Sequence, residues 1–249
     1  MITDPLFYAV AIPAVTLLGL AKGGFAGVGM ISTPLVSLVV GPIQAASIML
    51  PILIAQDAVS VYTYWGKWDR RNLVLMLPAA MIGVLLAWLL AARVSEAAFE
   101  LALGMIALLF GMRYLFGRRL LRPKRAGPVV GAVCGAASGF TSAIAHAGAP
   151  PFQIYVLPQR LPHEVFAATS VLFFAVINVV KVAPYAALGG FSEENLATAA
   201  ALLPLAIVTT LGGVALVRRV SGDRFYSIIY ALLVLAGLQL IWNGGSKLV

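Results

Sequence analysis

The chain has 249 residues, 61% of them hydrophobic and 10% charged, with a mean hydropathy of +0.99 and a formal charge of +8. Soluble domains carry about 25% charged residues, so no water-soluble core accommodates this composition, and apolar runs of about 20 residues recur along the whole length as membrane-spanning helices require. The alternation of a β-barrel, in segments of about ten residues, is not seen, and the surplus positive charge suits loops facing anionic lipid better than nucleic acid.

In chain order the apolar segments lie at roughly 5–22, 24–40, 43–65, 73–92, 96–116, 127–145, 147–158, 163–188, 195–217 and 223–243. The first run, Leu6 to Ala21, lacks a basic flank and a clean cleavage site, so it reads as a retained helix. The second and seventh segments are short and rich in small residues. They belong to two related stretches, KGGFAGVGMISTP from Lys22 to Pro34 and SGFTSAIAHAGAPP from Ser138 to Pro151. The hydrophilic stretch GRRLLRPKRA at 117–126 is the one clear linker, and it divides a repeat at 1–116 from a repeat at 127–249. The lone cysteine, Cys134, excludes an internal disulfide and a cysteine-based zinc site.

The two parts resemble copies of each other. Asn72-Leu73 matches Asn195-Leu196, Leu77-Pro78 matches Leu203-Pro204, and Arg93-Val94-Ser95 matches Arg219-Val220-Ser221. Upstream, Ala45-Ala46-Ser47 matches Ala167-Ala168-Thr169, Gln56 matches Asn178, and Gly24-Phe25 matches Gly139-Phe140. Basic residues cluster at 66–72, in the linker, at Arg160 and at 217–224, while the opposite ends are almost bare. By the positive-inside rule the clustered set is cytoplasmic and both termini are periplasmic. Equivalent loops then fall on opposite sides, which defines an inverted repeat. The expected fold is an all-α polytopic membrane protein of two inverted-topology repeats. Each holds an interrupted or re-entrant glycine-rich segment plus three long transmembrane helices, with about 8 full spans and 2 short segments in all. Whether 5–40 and 127–158 cross or re-enter stays open. Irregular backbone at that depth is tolerated inside protein or beside a watery cavity.

Paired interrupted segments in two halves are the usual place for a transporter's substrate site. Gly23, Gly24, Gly27 and Gly29 permit close backbone approach, and Pro34 breaks the helix. Free N–H groups at such a break would favour an anion; the alternative is that the glycines simply form a packing face. In the second motif Ser138, Thr141, Ser142 and Gly148 offer hydroxyls and backbone, although membrane Ser and Thr often bond the preceding turn instead. Four ionisable residues fall in or near the membrane: Lys22, Asp57, His146 and Lys181. Each needs a partner there, because a charge at the bilayer centre costs at least ~2.5–3.5 kcal/mol. Lys22 either snorkels at its helix end or binds an anion. Asp57 follows Gln56, and Lys181 stands three residues after Asn178, so Asp57 and Lys181 could meet as a structural pair or as a proton-coupling or substrate-linked one. His146 can take up a proton near neutral pH or serve as a hydrogen-bonded structural residue.

An opening helix ending in GGFAGVGMISTP, a basic central linker and a second half carrying SGFTSAIAHAGAPP resemble the TauE/SafE sulfite exporter family of bacterial permeases. The second motif departs from the family's denser glycine run at His146-Ala147-Gly148-Ala149. The resemblance implies an inner-membrane permease for small sulfur-containing anions such as sulfite or organosulfonates, with no catalytic residues, no metal and no cofactor. A coupling proton and a homodimer are compatible with it, and the other partners are the bilayer and the anion. The rival readings are a passive anion channel and a carrier of another small anion such as a carboxylate. A membrane enzyme is disfavoured, since two histidines and one cysteine supply no nucleophile–base or metal motif.

Overall fold

Proline at the first or second position sets φ for a helix and removes a donor that would otherwise go unsatisfied. This chain uses it repeatedly. The structure, a computed structural model, describes residues 1–23, 29, 32–90, 126–187, 189–219 and 222–246, with scattered positions between 97 and 115. Gly24, Gly27, most of segment 96–116, linker residues 117–125 and Val249 lie outside the described residues.

Helix α1 (Pro5–Lys22) opens on Pro5, with the Asp4 carboxylate accepting the Leu6 N–H at 2.9 Å. After the glycine-rich break come α2 (Ser32–Val40) and α3 (Pro42–Thr63), then α4 (Arg70–Leu90). The later helices are α5 (Pro128–Ala145), α6 (Ala149–Val156), α7 (His163–Ala187), α8 (Glu193–Arg219) and α9 (Gly222–Ser246). Helix α8 carries Glu193 and Glu194 in its first turn and Arg218 and Arg219 in its last, the arrangement that offsets a helix dipole. No strand occurs among the described residues.

Six helices are long and apolar enough to cross a bilayer, with Pro128–Ile144 shorter but also apolar, among the described residues. By contrast α2 has 9 residues and α6 has 8. At 1.5 Å per residue each is less than half the ~30 Å hydrocarbon thickness. Among the described residues, each small-residue segment thus holds one short helix. The distribution of side chains is also that of a membrane protein. Along α8 the buried face holds Asn195, Thr198, Ala199, Thr210 and Gly213, while Val208, Leu211 and Leu216 point outward. Small and polar residues thus share the buried face with Leu202, Val214 and Val217, while the outward face is large and apolar.

Packing divides the chain into two units, Met1–Asp69 with Ala167–Arg219, and Arg70–Phe166 with Val220–Val249. Each unit thus draws on both sides of the 117–126 linker. In the first unit α1 lies along both α2 and α8, and α3 packs on α2 and α8. Its core joins Ala11, Ala14 and Val15 of α1, Ile48, Met49 and Ile52 of α3, and Ala199, Leu202 and Ala206 of α8. In the second unit α4 packs along α5, and α5 along α6. The closest seams are made through glycine: a methyl group at Gly23 would overlap the backbone of Gly213, and one at Gly139 would overlap the Ala80 carbonyl.

Candidate functional site

The polar residues of α3 recur at Gln56, Asp57, Ser60 and Tyr64, one stripe of a helix of period 3.6. All four are buried. The stripe faces the end of α1. Lys22, the last residue of α1, places its ammonium 2.6 Å from Asp57 Oδ1. The other carboxylate oxygen, Oδ2, accepts the Asn178 side-chain N–H at 2.6 Å. Asn178 and Lys181 are three apart on α7 and so share a face, and Lys181, 1% exposed, stands within electrostatic reach of both Lys22 and Asp57. The Lys22 ammonium also lies 5.8 Å from the centre of the Phe174 ring, within cation–π range.

The same stripe satisfies the backbone where α1 ends. A helix leaves its last carbonyls without intrahelical partners. Here the Ser60 hydroxyl donates to the Lys22 carbonyl at 3.0 Å, and the Tyr64 hydroxyl donates to the Gly23 carbonyl at 2.6 Å. One turn further into the membrane, Gln56 Nε2 lies 3.4 Å from the Val15 carbonyl. That contact orients the amide, since the reversed amide would set two oxygens against each other. Gln56 Oε1 then has no donor within the described structure.

The expected site residues of the first unit thus fall into two groups. Lys22, Asp57, Asn178 and Lys181 converge, and the ammonium in direct contact with Asp57 belongs to Lys22, with Lys181 acting on Asp57 through charge. Gly23 and Gly29 are packing positions in this structure: Gly23 lies on Gly213, and Gly29 covers Leu18 and Ala21 of α1. Sequence reasoning missed Ser60, Tyr64 and Phe174. The i, i+4, i+8 spacing of Gln56, Ser60 and Tyr64 was the available signal for the first two; Phe174 carried none.

In the second unit the motif makes its own break. His146 closes α5 in the left-handed region, at φ 53°, and the Ala147 N–H reaches back to the Thr141 carbonyl at 3.2 Å. The Ser138 hydroxyl donates to the Gly148 carbonyl at 2.6 Å, and the Thr141 hydroxyl to the Ala137 carbonyl at 2.8 Å. The Ser138 hydroxyl thus spans the break, while the Thr141 hydroxyl bonds the preceding turn of α5. Ser142 is buried beside them on α5. Pro150 and Pro151 in the first turn of α6 lack N–H groups, so that helix start offers an anion few donors.

Long apolar helices with a buried charged cluster among them mark a polytopic membrane protein. The family model described as Sulfite exporter TauE/SafE matches residues 11–240, nearly the whole chain. The chain belongs to the TauE/SafE sulfite exporter family. No curated protein and no solved structure matches it.

Proposed function

We propose that the protein is a permease for small sulfur-containing anions, such as sulfite or an organosulfonate, and that it works by alternating access of two inverted repeats around an anion site within the membrane. The observation that carries this reading is the cluster of Lys22, Asp57, Asn178 and Lys181. Two lysines face one carboxylate. With both lysines protonated the cluster holds one positive charge in excess, inside a low-dielectric bundle where such a charge seeks a counter-ion. A compact anion supplies it. The anion would meet Lys181 first and compete with Asp57 for Lys22, so that occupancy loosens the ion pair at the end of α1. The pair sits beside the glycine-rich break, where a helix can change direction at least cost, and this links binding to movement.

Family membership supports an anion cargo and a transporter rather than an enzyme. Outward movement of a monoanion is favoured by an inside-negative potential, by ~2.3 kcal/mol per 100 mV. Uptake would need a coupled ion, and Asp57 and His146 are the groups to examine for a proton.

The test is flux in reconstituted vesicles. Wild-type protein is expected to give saturable sulfite or sulfonate transport with counterflow, and Lys181→Gln and Asp57→Asn to abolish it. Vesicles that move no sulfur anion would refute the proposal. Flux without saturation or counterflow would instead identify a passive channel, and preferential movement of a carboxylate would reassign the cargo.

A further inference from the structure

An open cavity of about 670 Å³ lies where α3 and α8 both end and is lined by Tyr62, Thr63, Trp65 and Arg218, none of which takes part in the cluster above. Its composition is unusual for a surface hollow. Tyr62 and Trp65 are 84% and 72% exposed, and Trp65 is braced edge-on by Trp68 at 5.5 Å between ring centres. Arg218 reaches across from the last turn of α8 toward the Thr63 carbonyl, at 3.5 Å. A guanidinium has five N–H donors, and no other acceptor meets this one among the described residues. No carboxylate lines the cavity among the described residues. Arg219, the next residue, adds a second exposed positive charge to the same helix end.

Exposed tyrosine and tryptophan at the ends of spanning helices sit at headgroup level, where one part of the ring is apolar and the other wet. An arginine at that level binds phosphate through parallel N–H donors. We propose that this cavity is a binding site for an anionic phospholipid. The headgroup phosphate is held by Arg218, and the glycerol and upper acyl chains lie against Trp65 and Tyr62. The occupant is a lipid rather than a free ion because the exposed rings of Tyr62 and Trp65 make half of the lining and the cavity opens outward where two helices of spanning length end. The lipid would tie the end of α3 to the end of α8, two helices already packed in one unit.

Native mass spectrometry of the full chain, released from neutral detergent, tests the site. Phosphatidylglycerol, phosphatidylcholine or inorganic phosphate is added in separate titrations. Wild-type protein is expected to retain phosphatidylglycerol in preference to phosphatidylcholine and to show no matching adduct with phosphate alone. Arg218→Gln should weaken phosphatidylglycerol binding about fivefold, the worth of one basic residue near an anionic surface. Trp65→Ala should weaken it as well. Arg219→Gln removes the same charge from the same turn but leaves the cavity wall intact, so it should weaken binding less. Equal losses from Arg218→Gln and Arg219→Gln would overturn the site in favour of diffuse surface charge. Equal retention of the two lipids, or saturation by inorganic phosphate alone, would overturn it too.

Discussion

Replacing Asp57 with Asn tests whether the ion pair at the end of α1 organises the first unit. The substitution is nearly isosteric, so it alters charge and leaves volume almost unchanged. It removes the carboxylate that contacts the Lys22 ammonium, at 2.6 Å, and that Asn178 donates to, also at 2.6 Å. Lys22 would then lose its carboxylate partner beside the positive charge of Lys181. Breaking a buried pair from one side costs about 3–5 kcal/mol. The Lys22 side chain is 11% exposed and can recover some hydration, which places the expectation near about 3 kcal/mol. For a chain of this size that corresponds to a fall in Tm of about 6–12 °C. The assay is thermal unfolding in detergent followed by circular dichroism, for Asp57→Asn, Lys22→Met and the double variant. Because the two residues form one unit, the double variant should be less destabilised than the sum of the singles, by about 1–3 kcal/mol. Additive effects, with Asp57→Asn costing under about 1 kcal/mol, would refute the reasoning and leave the contact as an accidental pairing.

Further outcomes follow from the close helix seams and the second motif. Gly213→Ala places a methyl 2.9 Å from the Leu20 α-carbon and is expected to destabilise, whereas the neighbouring Gly212→Ala meets nothing within 4 Å and should be neutral or slightly stabilising; thermal unfolding separates them. Ser138→Ala leaves the buried Gly148 carbonyl without its donor and should cost about 1–3 kcal/mol in the same assay. His146→Gly relieves a left-handed backbone worth about 1–2 kcal/mol, so stability should hold or rise; transport lost from a stable His146→Gly protein would assign the imidazole a role in the cycle, and transport retained would make it structural. A reporter fused at Val249 should read as periplasmic, and a cytoplasmic signal would refute the inverted-repeat orientation.

Much of the architecture was legible because the bilayer imposes strong rules on sequence. A spanning helix needs a long apolar run, and the helices from Pro5, Arg70, His163 and Glu193 begin close to where such runs begin. A break needs glycine or proline, and the two interrupted segments lie where those residues gather. Position along a helix also placed Asn178 and Lys181 on one face. What periodicity cannot state is which face meets which neighbour. Asp57 carries no mark of its partner, and both lysines satisfied the requirement for an opposite charge. The contact with Lys22, 35 residues away, follows from α1 and α3 packing within one unit. Ser60 and Tyr64 were overlooked for the same reason, since their importance lies in the α1 carbonyls they reach.

By itself, then, the sequence determined that the chain is an α-helical membrane protein with two interrupted motifs and ionisable residues that must be buried, because apolar length, proline and charge act locally and each leaves a one-dimensional trace. The tertiary structure alone decided that Lys22 takes Asp57, that Gly23 serves a helix seam, that Ser138 closes its own break and that Arg218 shares a cavity with Trp65. Apart from the local Ser138 contact, each depends on helices distant in the chain approaching within a few ångströms, and on which residues happen to line the surfaces they share.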